Sequence, residues 1–265
     1  MSHEAHNRRA WDSLVRERQR HTKPARDKDF ADALAAINAD EWLGASIAGK
    51  RVLCLAAGGG RQSALYAAAG AKVTVVDLSP AMLALDREVA AERGLNLCAI
   101  EASMDDLSML GQAEFEIVIQ PVSTCYVPNI GRVYREVARV VVPGGLYISQ
   151  HKQPASLQAD VRPSPRGYEL VEPYYREGPL PPVHGSQHRE PGTLEYLHRW
   201  EELLGGLCRA GFMIEDLMEP PHAHPDDEPG AFGHRSQYVA PYVRIKARRT
   251  GEKSAHHSAT QLWTP

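Results

Sequence analysis

Cysteine is scarce here: Cys54, Cys98, Cys125 and Cys208 are scattered along 265 residues. They form neither a CxxC zinc pair nor a three-cysteine iron–sulfur motif, which leaves buried free thiols as the reading for most of them. A long apolar run is also missing, since none approaches the ~18 residues needed to span a bilayer. The N-terminus, MSHEAHNRRAWDSLVRERQRH, is too charged to hold the apolar core of a signal peptide, so a cytoplasmic location is expected. Neither sign of charge dominates: 30 Lys and Arg stand against 33 Asp and Glu, a net charge of −3. That balance gives no general attraction to nucleic acid or to an anionic membrane, and neither is expected as a partner. What the chain does have is 43% hydrophobic residues, enough for one substantial core without division into several domains.

The organising stretch runs from Arg51 to Ser79, RVLCLAAGGGRQSALYAAAGAKVTVVDLS. Val52 to Leu55 is apolar without alternation, as in a parallel strand buried on both faces. Gly58, Gly59 and Gly60 break it, and glycines let the backbone take positive φ and bring its N–H groups close to a ligand. An alanine-rich helix from Gln62 to Ala69 and a β-branched strand from Lys72 to Val76 follow, closed by Asp77. This is half of a nucleotide-binding unit, with a carboxylate where a ribose diol would sit. As a dinucleotide fingerprint it runs Gly58, Gly60 and then Ser63 in place of the third small residue, which weakens a nicotinamide reading. A tight strand-to-helix turn without a ligand is the alternative.

The alternation of helix and strand continues. Ser79 caps a helix that begins at Pro80, carries Met82, Leu85 and Val89 on its apolar stripe, and ends at Gly94. Strands are expected over Leu95–Ile100, Phe115–Ile119 and Leu146–Ser149, with a strongly periodic helix over Ile130–Val141. Upstream, Trp11, Leu14 and Val15 share one helical face, and Phe30–Trp42 repeats the pattern. Downstream, eight prolines between Pro154 and Pro191 rule out a long helix over residues 150–192. A loop of that length reads as disorder or as a functional cover, and Tyr168, Tyr174 and Tyr175 favour an ordered cover that selects the substrate. A helix striped by Leu197, Trp200, Leu204, Leu207 and Cys208, then strands Phe212–Leu217 and Tyr238–Ala247, close the chain, with Pro241 marking an edge or bulge.

These segments resemble the class I S-adenosylmethionine-dependent methyltransferases. The carriers are VLCLAAGGG, VVDLS, EASMDDLS, FEIVIQPVS and VVPGGLYIS, in order over residues 51–149, with a weaker match over 194–247. The resemblance implies an α/β fold: a doubly wound, Rossmann-like, mostly parallel seven-stranded sheet with an antiparallel edge strand and an N-terminal helical extension. Residues 1–48 would be that extension or lid. Residues 49–247 would form the methyltransferase domain, with 150–193 as the cover insertion, and 248–265 a disordered tail. The cofactor would be S-adenosyl-L-methionine. Ala56, Ala57, Gly58, Gly59 and Gly60 would face its methionine part, Asp77 its ribose hydroxyls and Leu78 its adenine. Ser103, Met104 and Asp105 would meet the adenine edge, and Gln120 and Pro121 would floor the sulfonium. The sequence departs from the family pattern at Cys54, where an acid is common, at Ala56, where the first glycine falls, and at Ser103, often an aspartate.

The activity implied is methyl transfer to a small-molecule acceptor by in-line displacement, because the sulfonium already carries an activated methyl group. The Asn/Asp-Pro-Pro-Tyr/Phe motif of amino-directed relatives is replaced by Gln120, Pro121, Val122 and Ser123, which disfavours DNA and glutamine acceptors. Candidates for contact with substrate are His151, His198 and Tyr126, none of them marked as a catalytic base. His222, His224, Asp226, Asp227 and His234 invite a metal reading, but alternate histidines in a proline-rich loop read as solvated, so no metal is expected. The alternatives are a non-catalytic cofactor-binding module and an NAD(P)-dependent oxidoreductase. The acceptor atom, the use of a general base and the oligomeric state have no signal in the sequence.

Overall fold

The computed structural model describes residues 2–183 and 186–251. Seven strands form one sheet: β1 (Arg51–Leu55), β2 (Lys72–Asp77), β3 (Leu97–Glu101), β4 (Phe115–Gln120), β5 (Val141–Lys152), β6 (Phe212–Met218) and β7 (Tyr242–Arg249). Their order is β3-β2-β1-β4-β5-β7-β6. Pairing from β3 through β5 is parallel, and β7 runs antiparallel to both of its neighbours at the β6 edge. The expected strands are present with ends shifted by a few residues. β5 is the large exception, because VVPGG joins it and carries it from Val141 to Lys152.

Alternation of side chains across the central strands explains the two cores. Leu53 and Leu55 face one side, where Ile130, Val133, Tyr134 and Val137 of helix α6 (defined below) meet Leu203, Leu207 and Phe212. Val52 and Cys54 face the other side, packed with Val73, Val75, Tyr66 and Leu83.

The helices are α1 (His3–Arg16), α2 (Asp27–Ala31), α3 (Ala33–Ile37), α4 (Gln62–Ala68), α5 (Pro80–Arg93) and α6 (Ile130–Val140), followed by several short helical segments. Ser79 caps α5 through the Met82 N–H at 3.1 Å, and Gly94 ends it in the left-handed conformation. The expected single helix over Phe30–Trp42 is instead two short ones. Asp32 interrupts it and caps α3 by accepting from the Ala35 N–H at 3.0 Å. The helix expected around Trp200–Cys208 is a π-turn over Glu201–Gly205 continued by Gly206–Arg209, with Leu197 outside it and Cys208 exposed. The last strand begins at Tyr242, past Pro241, and Tyr238 is exposed.

Helix α1 is tied down at both ends of its inner face. The buried Asn7 side chain donates to the carbonyls of Tyr126 and Leu194 at 3.0 and 3.1 Å and accepts from the Leu194 N–H at 2.7 Å. Asp12 accepts from the Ser79 hydroxyl at 2.6 Å. Among its described residues the segment over 150–193 has one short helix, Pro154–Gln158, and its Leu157 and Leu180 form a small core with Leu197. Arg235, buried to 1% exposure, binds this segment through the carbonyls of Ser156, Ala159 and Asp160. Strand β7 covers Arg248 and Arg249, and the rest of the expected disordered tail, residues 252–265, lies outside the described residues. Among the described residues no helix is long and apolar enough to cross a membrane.

Candidate functional site

A cavity of about 670 Å³ opens at the carboxyl ends of the central strands, under α1 and the segment that follows β5. Its floor starts at the turn after β1. Ala56 holds φ +46°, a left-handed conformation strained for a residue with a Cβ, and its N–H donates to Val76 at 2.7 Å. Gly59 is at φ +110°. At Gly58 a Cβ would lie 2.8 Å from Met82 and 3.0 Å from the Asp77 carboxylate, so only glycine fits. The cavity is lined by Ala56, Ala57, Gly58 and Gly59, whereas Gly60 turns away from it.

What holds this turn is Asp86, a residue the sequence reading passed over. Its carboxylate is fully buried and accepts from the N–H groups of Gly59 and Gly60 at 3.0 and 2.9 Å and from the Ser63 hydroxyl. Burial pushes the Asp86 carboxyl up, and these hydrogen bonds oppose that. Ser63 therefore does not merely replace a small residue: its hydroxyl answers a buried acid. The available signal was an aspartate four residues after Met82 on the apolar stripe of α5.

Asp77 ends β2 and lines the cavity. Its two oxygens accept from the backbone N–H groups of Gly58 and Ser79, both at 2.9 Å. Burial raises its pKa to about 6 against those hydrogen bonds, with the Asp86 charge adding to the rise. Leu78, Ser103, Met104 and Pro121 line the same cavity. Asp105 does not; it is buried behind them, accepting from the Ser103 hydroxyl at 2.6 Å and facing Arg132 at 3.6 Å. Gln120 is also off this wall, lining a neighbouring recess, with its amide donating to Ser123 at 2.9 Å and accepting from Tyr147 at 2.5 Å.

The three candidates for substrate contact separate. His151 is 1% exposed and both ring nitrogens are engaged, with Thr124 and Ser149 hydroxyls at 2.8 Å. Burial lowers its pKa to about 3. His198 is buried with Nε2 2.9 Å from the Thr124 carbonyl. Neither lines the cavity, because inward-facing positions of β5 and of the Tyr196–His198 strap point into the core. Tyr126 does line it, edge-on to Trp11 at 5.6 Å, and donates to Glu190 at 2.6 Å.

Opposite the strand ends, the wall comes from segments with no motif. Glu190 is flanked by Lys152 at 2.7 Å, and Lys152 also reaches Glu195 at 2.5 Å, which Arg189 neutralises in turn. Burial pushes the Glu190 carboxyl up, but the Lys152 ammonium and the hydrogen bonds around it prevail and hold it well below the usual carboxylate range. His21 Nε2 lies 3.7 Å from Glu190. His222 packs edge-on against Phe232 and Tyr242, and its buried Nε2 has no hydrogen-bond partner among the described residues. His234 bonds instead to Tyr168 at 2.8 Å, so the histidines of this loop serve different neighbours. Of α1, Trp11 lines the cavity and Arg16 points to solvent.

Comparison with known proteins adds a family to this geometry. The model of a methyltransferase domain matches residues 53–149. An uncharacterised methyltransferase of Bacillus subtilis, YbaJ, is 33% identical over 230 residues, covering 81% of this chain and 89% of that protein. An S-adenosylmethionine-dependent methyltransferase of Mesorhizobium loti superposes with a TM-score of 0.65 at 24% identity, covering 83% of this chain and all (100%) of the other. The geranyl diphosphate C-methyltransferase of Streptomyces coelicolor A3(2), solved with Mg²⁺, geranyl diphosphate and S-adenosyl-L-homocysteine, gives 0.61 at 17% identity, covering 94% and 98%. The last two speak for the fold.

Proposed function

From its membership of the class I S-adenosylmethionine-dependent methyltransferases, the family to which this chain belongs, we propose that it moves a methyl group from S-adenosyl-L-methionine to a small-molecule acceptor held under the segment that follows β5. The observation that carries this reading is that one cavity joins the glycine turn, Asp77, Leu78, Ser103 and Met104 to a wall of aromatic and polar side chains.

In this reading Asp77 accepts from the ribose hydroxyls, which suits a carboxylate already held in place by two backbone N–H groups. Leu78 and Met104 flank the adenine, and Ser103 sits at its edge. The turn Ala56–Gly59 brings backbone close to the methionine portion, and Pro121 floors the reacting centre. Asp105 and Gln120 act one layer back, fixing Ser103 and the loop after β4. The cofactor supplies an activated methyl group on a sulfonium; the chain's own work is to align the acceptor with the methyl–sulfur bond and to keep water away. Helix α1 and the segment over 150–193 do the second, covering the cleft together where His6 meets the Gly192 carbonyl at 2.8 Å.

The test is isothermal calorimetry with S-adenosyl-L-homocysteine on wild type and Asp77→Ala. Micromolar binding that weakens by about 1.5–3 kcal/mol in the variant is expected, the range for hydrogen bonds to a charged group. Equal affinity in the two proteins would place the cofactor elsewhere.

A further inference from the structure

We propose that the acceptor is a hydroxyl-bearing aromatic molecule, and that His21, partnered by Glu190, removes its proton as the methyl group is transferred. This rests on the cofactor reading above, which assigns the strand-end half of the cavity and leaves the half between α1 and β7 for the acceptor.

That second half has a definite chemistry. Four aromatic rings reach it from four separate segments: Trp11, Tyr126, Phe232 and Tyr242. They form flat apolar surfaces, Phe232 and Tyr242 tilted by only 33° at 6.3 Å, which suit a planar molecule. The lining also includes His21, His222, Gln187 and Glu190, so the slot is polar at defined points. His222 Nε2 is buried there with no partner among the described residues. A buried polar atom that lacks a partner is the exception in folded proteins, and here an acceptor substituent supplies one.

His21 is the group built to move a proton. Its Nε2 stands 3.7 Å from Glu190, whose charge is maintained by Lys152 and Tyr126. Glu190 held this way is too weak a base itself, but its negative charge stabilises the imidazolium that forms when His21 takes a proton. Partial burial, with the nearby Arg20 and Lys152 charges, favours the neutral imidazole beforehand, Glu190 acting in the opposite sense. The side chain is 47% exposed, so the proton can leave to solvent. In the step, the acceptor oxygen forms its bond to the methyl carbon while sulfur keeps the electron pair of the broken bond and becomes a neutral thioether. The hydroxyl proton goes to His21.

The surroundings argue against the competing acceptors. An alkylamine arrives as a cation, and the cationic side chains of Arg20 and Lys23 line the same cavity, where Arg26 and Arg61 are paired with Asp29. Of the acids in that lining, Glu190 is already paired with Lys152, and Asp77 is held by two backbone N–H groups on the cofactor side. A neutral phenol meets no such repulsion and needs the base that is present.

The experiment measures methyl transfer from labelled S-adenosyl-L-methionine to catechol, 4-nitrophenol, 2-phenylethylamine and cysteine, with S-adenosyl-L-homocysteine affinity determined in parallel. Wild type is expected to methylate catechol, and His21→Gln to lose about 100-fold of that rate with cofactor affinity unchanged. The loss on 4-nitrophenol should be far smaller, because that phenol is much more acidic than catechol, is substantially ionised near neutral pH and in that form needs no base. The catechol rate should rise with pH through an inflection below 6.5 that His21→Gln lacks. Transfer only to the amine or the thiol, no transfer to either phenol, or an equal loss on both phenols in His21→Gln would overturn the proposal. Wild type that fails to bind S-adenosyl-L-homocysteine would overturn the cofactor reading first and this with it.

Discussion

At the scale of the residue, two positions carry a measurable tension between fold and cofactor. Asp77 is held at a pKa of about 6 by burial, and in the proposed mode of binding the ribose hydroxyls need its carboxylate. Its ionised form is the binding form, so affinity for S-adenosyl-L-homocysteine is constant above that value. Below it, affinity falls by up to about tenfold per pH unit; calorimetry across the range checks this. Ala56 is the second, a residue with a Cβ at φ +46° where the family commonly has glycine. Relief of a left-handed alanine is worth about 1–2 kcal/mol, and the added freedom of glycine in the unfolded chain returns about 0.4–1. Ala56→Gly should therefore raise stability by about 0.5–1 kcal/mol in urea unfolding while leaving the turn intact.

At the scale of the element, β5 shows why His151 stands away from the cavity. The strand extends to Lys152, so His151 is a residue inside the sheet, alternating inward between Thr124 and Ser149. His151→Gln is expected to cost about 1–3 kcal/mol of stability, the penalty for disturbing buried partners, with cofactor affinity unchanged. The sign with pH follows from a folded pKa of about 3 against 6.5 for the free group. The stability His151 provides is fully present above 6.5 and lost as pH falls towards 3, so the deficit of the variant shrinks on acidification. Denaturant titrations of both proteins at several pH values read this directly. The glycine turn is the other element with a hidden support. Its N–H groups point at Asp86 from α5, which couples the first helix crossover to the second.

At the scale of the whole molecule, the cavity is a product of chain segments far apart in sequence. Asn7 ties α1 to the loop after β4 and to the segment before Tyr196, three parts that meet only when the fold is complete. Asn7→Ala strands the Leu194 N–H and two carbonyls, and should cost about 2 kcal/mol of stability. Stopped-flow measurement of S-adenosyl-L-homocysteine release should find faster dissociation as well, since α1 roofs the cleft. Family membership at this scale also sets aside the nicotinamide oxidoreductase alternative that the turn alone left open.

The parallel sheet, its strand-end turn and Asp77 were legible because each rests on local chemistry: apolar runs buried on both faces, glycines where a Cβ would clash, and an acid closing a strand. The break of the Phe30–Trp42 pattern at Asp32 and the extension of β5 through VVPGG were not, since neighbouring strands and caps outweigh local propensity. Nor was the site beyond the strand ends. Asp86, Glu190, His21 and His222 carry no motif, and tyrosines and histidines in a proline-rich stretch look alike whether they face solvent or a slot. The sequence by itself determined the sheet and the strand-end wall of the cleft, through periodicity and backbone sterics. Only the tertiary structure decided the opposite wall, because it brings Trp11 against Tyr126 and His21 near Glu190, pairs more than a hundred positions apart in sequence.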